Sequence, residues 1–148
     1  MAPIVASIEV ERSPEDVFAY LDDLARHGEW QERIVSVEVE TEGPTRVGTR
    51  AVDTRRVPGG RTIATTYEIV EHDPPRRAAF RGVDGPVPAV GSVTVEPAGE
   101  GRSRVTLELD FERRGLMGAF MAPIARSQAR KQVPKDQRKL KELLEAGA

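Results

Sequence analysis

The sequence predicts an α+β fold in which helices cover one face of a curved antiparallel sheet. Three observations lead to this prediction. Runs of alternating apolar and polar residues recur along the chain, with turn residues between them. A short amphipathic helical pattern follows the first run, and residues 115–144 read as one long helix. Strands joined by such short loops pair antiparallel, which leaves one face for the helices.

The first predicted strand is Ile4–Val10, where apolar residues alternate with Ser7 and Glu9. Six further strands are predicted in residues 34–41, 49–57, 61–71, 76–82, 87–96 and 103–112. Turn residues separate them, among them Pro58-Gly59-Gly60 and Asp73-Pro74-Pro75. Three glycines near strand ends are candidate bend or bulge points: Gly48, Gly82 and Gly91.

Two short helices are predicted between the first and second strands. Ser13 has the N-cap role and Pro14 the first helical position, and a second short turn of helix begins near His27. The long C-terminal helix is apolar from Leu116 to Ile124 and mostly charged afterwards.

Pro123 and Pro134 lie inside that long helix and predict a bend or break near each. Residues 116–124 would then act as a lid over a pocket. The stripe that grips the sheet would be Ala125, Ala129, Val133, Leu140 and Leu144.

Composition excludes several classes of site. The 148 residues predict one domain, and a net charge of −2 offers the whole molecule no electrostatic reason to bind nucleic acid or an anionic membrane. No cysteine is present, so disulfides, thiolate metal sites and a cysteine nucleophile are excluded. His27 and His72 are predicted to be exposed, and no metal-ligand spacing exists, so neither a metal nor another cofactor is predicted.

The N-terminus shows no signal-peptide pattern, and no segment has the roughly 20 apolar residues needed to cross a bilayer. These observations predict a cytoplasmic protein without a membrane span, either a monomer or a homodimer.

Several motifs resemble one known superfamily. They are residues 8–21, Trp30 before the second strand, Val47-Gly48-Thr49, Asp73-Pro74-Pro75-Arg76-Arg77, residues 101–106 and residues 140–145. Their order and spacing are similar to those of the polyketide cyclase/dehydrase and lipid-transport (START-like, Bet v 1-like, SRPBCC) superfamily. The resemblance implies a helix-grip fold, in which a curved seven-stranded antiparallel sheet wraps around the long C-terminal helix and leaves a cavity between them. Its members bind sterols, lipids, polyketides and other mostly apolar molecules, and some catalyse cyclisation or dehydration.

The predicted ligand-binding residues are mostly apolar side chains on the inward face of the sheet and on the helices, with Thr65 as a polar residue that could orient a ligand. From the sheet they are Thr65, Tyr67, Ile69, Phe80, Val93, Leu107 and Leu109. From the helical parts they are Phe18, Trp30, Met117, Phe120, Met121 and Ile124. Methionine and phenylalanine adapt to irregular ligands, although the same residues could simply fill a core. Alanines that face inward would leave room for a ligand; the candidates are Ala51, Ala64, Ala78 and Ala89.

Few polar groups could act on a ligand. Tyr67 alternates in phase with Ile63 and Ile69, so its hydroxyl could donate a hydrogen bond to a ligand or act as a general acid. A tyrosine bonded to backbone is the competing interpretation. The pattern of the third strand does not show which of its faces points inward, so the direction of Asp53 is left open. We expect Arg50 and Arg55 to point outward, because a buried charge without a partner is costly.

The leading functional prediction is binding or carrying of a small, mostly apolar ligand between the sheet and the C-terminal helix. The alternative is a polyketide cyclase, aromatase or dehydratase that acts in the same cavity. A third possibility is a protein partner on the basic helix surface of residues 126–141, which otherwise reads as a solvated face.

Overall fold

The computed structural model describes residues 3–148, which form one seven-stranded antiparallel sheet, two α-helices and a short 3-10 helix. The strands are β1 (Ile4–Val10), β2 (Ile34–Val39), β3 (Arg50–Val57), β4 (Arg61–Asp73), β5 (Arg77–Gly82), β6 (Ala89–Pro97) and β7 (Ser103–Phe111). The helices are α1 (Pro14–Asp22), the 3-10 helix (Leu24–Glu29) and α2 (Gly115–Glu145). The predicted α+β helix-grip architecture is confirmed.

Strands β2 to β7 form an antiparallel meander, and β1 pairs with β7 at one edge of it. Its order is β1-β7-β6-β5-β4-β3-β2, and β1 pairs with β7 from Ile4 opposite Leu109 to Val10 opposite Ser103. Between β1 and β2, the helical segment carries the chain from one edge of the sheet to the other. It begins as predicted, with the Ser13 hydroxyl accepting a bond from the Asp16 amide at 3.2 Å and Pro14 in the first turn.

The sheet irregularities do not lie at the predicted glycines. The register shifts between Ile34 and Ser36 and between Ile69 and Glu71. Gly91 serves close packing instead, because a Cβ there would come within 2.7 Å of the Phe80 ring on the neighbouring strand. Glycine is therefore required at position 91, because any side chain there would collide with Phe80.

The principal core lies between the concave face of the sheet, α1 and the C-terminal half of α2. Leu140 and Leu144 are fully buried there. They share one cluster with Val10, Val17, Phe18, Tyr20, Leu21, Trp30, Val95 and Val105. The Gln137 side-chain amide donates to the Ala6 carbonyl oxygen at 2.8 Å. Thus α2 is fastened to β1 and β7, and the predicted gripping stripe is confirmed at its two leucines.

Helix α2 runs without interruption through Pro123 and Pro134, so the predicted break is wrong, and a bend at either proline stays a prediction. An interior proline removes the hydrogen bond to the carbonyl four residues earlier. Those carbonyls belong here to Ala119 and Arg130, both exposed residues, so water can replace the lost donor. Within the described chain, no helix is long and apolar enough to span a membrane.

We predict that Leu140→Ala lowers the free energy of unfolding by about 2–5 kcal/mol, because it removes a fully buried side chain from the contact between α2 and the sheet. The matched control is Leu116→Ala, the same change on the same helix at a side chain that is 92% exposed. It should alter stability by no more than about 0.5 kcal/mol. Chemical denaturation measures both, and equal losses would contradict the proposed anchoring of α2.

Candidate functional site

Cross-strand register defines which side chains share the concave face. Residues directly opposite each other on paired strands point to the same side of a sheet. Phe80 is opposite both Ile69 and Gly91, and Gly91 is opposite Leu109. The remaining pairs on this face include Ala51 with Tyr67, Asp53 with Thr65, and Val93 with Leu107. All seven sheet residues predicted to face inward therefore lie on the concave face.

The concave face between β3 and β6 is not fully covered. Helix α2 packs mainly on β1 and β7. Phe80, Val93, Leu107 and Leu109 are only partly buried, although they point to the same side of the sheet as α2. We name this surface the concave groove, formed by Asp53, Arg55, Thr65, Tyr67, Phe80, Val93, Leu107 and Leu109.

Small side chains widen the groove at some of the predicted positions. Ala51 is fully buried opposite Tyr67, and Ala78 lies opposite Val93. Ala64 pairs with Thr54 and points to the other, convex face.

A hydrogen-bonded polar cluster occupies one end of the groove, formed by Gln31, Asp53, Arg55 and Thr65. The Thr65 hydroxyl donates to one carboxylate oxygen of Asp53 at 2.7 Å, and Arg55 Nε donates to the other at 3.2 Å. Arg55 Nη2 donates to Gln31 Oε1 at 2.8 Å. The buried Asp53 carboxylate is thus neutralised and bonded on both oxygens, as a charge withdrawn from water must be.

The expectation that Arg50 and Arg55 of β3 point outward is wrong for Arg55. Arg50 does point outward and pairs with Glu68 on the convex face, at 2.9 Å. Because Arg50 and Arg55 are five residues apart in a strand, they must lie on opposite faces. The ion pair with Asp53 offsets the free energy that it costs to withdraw part of the Arg55 guanidinium from water.

Tyr67 borders the polar cluster and keeps an available hydroxyl. Its ring packs edge-on against Phe80, with centroids 5.5 Å apart. Among residues 3–148, none makes a hydrogen bond to the hydroxyl, so the competing interpretation of a backbone-bonded tyrosine is wrong. Burial, together with the nearby Asp53 charge, raises the pKa of Tyr67 well above the ordinary value. The hydroxyl therefore stays protonated and is a hydrogen-bond donor at neutral pH.

A further acidic group on α2 lies beside the polar cluster. Asp136 accepts from the Glu32 amide at 3.2 Å and from Gln132 Nε2 at 2.9 Å. Burial raises the pKa of Asp136, while the hydrogen bonds and Arg55 act in the opposite direction. The long helix is thus joined to the polar end of the groove.

Both histidines were predicted to be exposed, and the structure contradicts this. His27 Nε2 donates to the Leu21 carbonyl at 2.7 Å, and its ring packs against Trp30. His72 lies on β4, which extends further than predicted, and bonds to Asp22 of α1 at 2.9 Å. Among the described residues, no group of three or more His, Cys, Asp or Glu side chains could hold a metal ion.

The predicted helical ligand residues do not lie in the groove. Phe18 and Trp30 are buried in the principal core with Leu140, so they support the fold. The other four predicted residues are exposed on α2: Met117, Phe120, Met121 and Ile124. The buried positions there are the small residues Gly118 and Ala122, which let α2 approach its neighbours closely. The sequence analysis assumed that the large apolar side chains of α2 face the sheet, whereas the structure buries the small ones.

Two surface depressions lie outside the groove. The larger, about 540 Å³, is bordered by α1, the 3-10 helix and the β2–β3 connection, including Asp22, Leu24 and Pro44. The smaller, about 300 Å³, is on the convex face beside Arg50, Glu68 and Arg114. Neither includes a residue of the concave groove, so an enclosed ligand cavity under α2 stays a prediction.

Comparison with known protein families shows to which family the chain belongs. The family described as "Polyketide cyclase / dehydrase and lipid transport" matches residues 1–145. The chain belongs to this family. The predicted resemblance is confirmed over almost its whole length.

The chain is similar to a curated protein in sequence and to solved structures in fold. The uncharacterised protein Rv1546 of Mycobacterium tuberculosis is 28% identical over 130 residues, which cover 86% of this chain and 88% of Rv1546. A START superfamily protein from Mycobacterium smegmatis has a TM-score of 0.75 at 13% identity, with 97% of this chain and 99% of that chain covered. The Zhui aromatase/cyclase from Streptomyces sp. R1128 has a TM-score of 0.73 at 18% identity, with 93% and 87% covered.

We predict that His27 makes stability depend on pH. Burial lowers the pKa of His27 below the value of about 6.5 for free histidine, so the unfolded state binds a proton there more readily than the folded state. The stability contributed by the neutral ring is present above about pH 6.5 and is lost as pH falls towards the folded-state pKa.

The measurement is the free energy of unfolding between about pH 7 and about pH 5, for the native chain and for His27→Gln, which keeps a side-chain donor for the Leu21 carbonyl. The native chain should lose more stability over this range than the variant. Parallel curves would show that His27 does not resist protonation.

Proposed function

We propose that the protein binds a small, mostly apolar molecule in the concave groove and holds its polar end beside Tyr67. The observation that carries the proposal is the Tyr67 hydroxyl, which has no hydrogen bond to residues 3–148 and lies where the apolar floor meets the polar cluster. Membership of a family that includes lipid transport supports the same proposal.

The apolar part of the ligand would lie on Phe80, Val93, Leu107 and Leu109, whose accessible surface is partly open. Each square ångström of apolar surface removed from water there contributes about 25 cal/mol to binding. A few polar groups then set orientation, as is usual in small-molecule sites.

The charge balance of the polar cluster favours a neutral ligand. Asp53 and Arg55 neutralise each other, so this pair has no net charge to attract a carboxylate or an amine. Tyr67 remains protonated and can donate to an uncharged oxygen acceptor. A ketone, ester or aldehyde attached to an apolar chain or ring satisfies both conditions.

We predict that Tyr67→Phe removes a preference for ligands with a carbonyl group. Displacement of the neutral dye Nile red by 2-undecanone and by n-undecane measures that preference on a matched pair of ligands. Relative to the alkane, the native chain should bind the ketone about fivefold more tightly than Tyr67→Phe does, since one neutral hydrogen bond contributes about 1 kcal/mol. In Tyr67→Phe the ligand carbonyl loses its donor, so the affinity for the ketone falls while the affinity for the alkane is unchanged.

Tyr20→Phe is the matched control, because Tyr20 is the only other tyrosine and its hydroxyl is bonded to Glu29 away from the groove, at 2.9 Å. This variant should keep the ketone preference. If Nile red does not bind the native chain, or both variants lose the preference equally, binding in the concave groove is wrong.

The second candidate function is catalysis on the same ligand class, which the meeting of Tyr67, Asp53 and Arg55 at one end of the groove favours. In cyclisation, a base removes a proton from the carbon between two carbonyls, and the resulting enolate attacks a distant carbonyl carbon. The new carbon–carbon bond leaves an alkoxide, which takes a proton from a general acid; loss of water then gives the double bond. Tyr67 has the protonation state of the acid, and Asp53 is the nearest carboxylate.

We predict for this candidate that the native chain accelerates dehydrative cyclisation of the N-acetylcysteamine thioester of 3,5,7-trioxooctanoate. Mass spectrometry follows the loss of one water above the uncatalysed rate. Tyr67→Phe should lower the acceleration by about 10²-fold or more, as expected for a lost general acid. Tyr20→Phe should retain it, and no acceleration by the native chain would leave the binding function alone.

A further inference from the structure

The first half of α2 exposes large apolar side chains on one side. They are Leu116, Met117, Phe120, Met121 and Ile124, with exposures of 92%, 61%, 74%, 40% and 51%. We name these five residues the apolar strip. The buried residues of the same helical turns are Gly118, Ala122 and Arg126, and the last forms an ion pair with Asp110 of β7. The small side chains of this part of α2 thus face the rest of the molecule, with Gly118 against the Pro86 carbonyl of the β5–β6 connection, and the large ones face solvent.

This arrangement requires an explanation because the apolar residues are contiguous. Single exposed apolar residues are common on soluble proteins, whereas a contiguous patch marks an interaction surface. From Leu116 to Ile124 the helix carries no polar side chain at all.

Along the chain, the charges that flank the apolar strip are all positive. No aspartate or glutamate occurs between Glu112 and Asp136, although the whole chain has a net charge of −2. The exposed basic residues of this interval are Arg113, Arg114, Arg130, Lys131 and Lys135. They lie on both sides of the apolar strip along the chain, so the helix combines an apolar face with cationic ends.

We propose that the apolar strip and its flanking basic residues form a docking surface for an anionic lipid bilayer. An interfacial helix buries large apolar side chains at the boundary of the acyl chains while lysine and arginine contact the headgroup phosphates. Both features are present within residues 113–135. This surface lies outside the concave groove, and the proposal does not rest on what the groove binds.

Two other occupants fit the surface less well. A second copy of the chain would bring its own basic residues close to these, and like charges across an interface oppose association. A different protein partner would be expected to make about one hydrogen bond per 100–200 Å² of interface. The apolar strip offers no side chain for such bonds over nine consecutive residues, whereas hydrocarbon needs none.

Co-sedimentation with large unilamellar vesicles tests the proposal on the full chain. The native protein should bind vesicles of phosphatidylcholine with 30% phosphatidylglycerol at least about tenfold more strongly than vesicles of phosphatidylcholine alone, and added salt should weaken this binding. Leu116→Ser/Phe120→Ser should reduce binding to the anionic vesicles by at least about tenfold, because both side chains are exposed in the free protein and buried only in the bilayer.

The matched control is Val5→Ser/Val47→Ser, which removes two exposed apolar side chains outside α2 and should leave binding unchanged. Arg130→Gln/Lys131→Gln should weaken binding only to the anionic vesicles. Thermal melting checks that each variant is folded.

Phe120→Trp adds a direct measurement of depth. Lipids brominated along the acyl chain should quench the introduced indole, while Trp30, which is buried in the core, should be unaffected. No sedimentation of the native chain, or equal sedimentation of the Leu116→Ser/Phe120→Ser variant, would overturn the proposal. A native dimer that this variant converts to a monomer, with no vesicle binding, would identify the apolar strip as a contact between two copies.

Discussion

The contact between the C-terminal half of α2 and the sheet is the constraint on which the other features depend. Leu140 and Leu144 are fully buried against the concave face and α1, and Gln137 bonds to the backbone of β1 and β7. Because this anchor lies on one side of the curved sheet, α2 leaves the concave faces of the middle strands partly open. The groove is therefore a consequence of where the helix is fastened.

The polar end of the groove illustrates how a charged group becomes tolerable in such a place. Asp53 has few exposed atoms, yet Thr65 and Arg55 bond to its two oxygens. Tyr67 beside it has no such partner among residues 3–148, so its hydroxyl is the unused bonding capacity of the site. A neutral groove with one free donor suits an uncharged ligand better than an ionic one. The same donor could hold a ligand carbonyl in place or protonate it, so the groove suits both proposed functions.

The sequence predicted the sheet well and the long helix poorly, for a physical reason. Alternation identified the inward faces of β4 to β7, because Tyr67, Leu107 and Leu109 contrast clearly with polar neighbours. In β3, alternation failed because Asp53 and Arg55 face inward as a pair, and periodicity does not report pairing. In α2, hydrophobicity indicated the wrong side, since close packing selects Gly118 and Ala122 and leaves Phe120 in solvent. The net charge of −2 for the whole chain likewise concealed the local excess of basic residues on both sides of the apolar strip.

A crystal structure of the protein with 2-undecanone would show whether a ligand binds in the concave groove, because it locates the ligand without reference to activity. We predict that the apolar chain of the ketone lies on Phe80, Val93 and Leu107, with its oxygen within hydrogen-bond distance of the Tyr67 hydroxyl. Binding in the concave groove is wrong if the ligand lies instead in the depression beside Asp22 and Pro44, or if α2 closes the groove with no ligand in it.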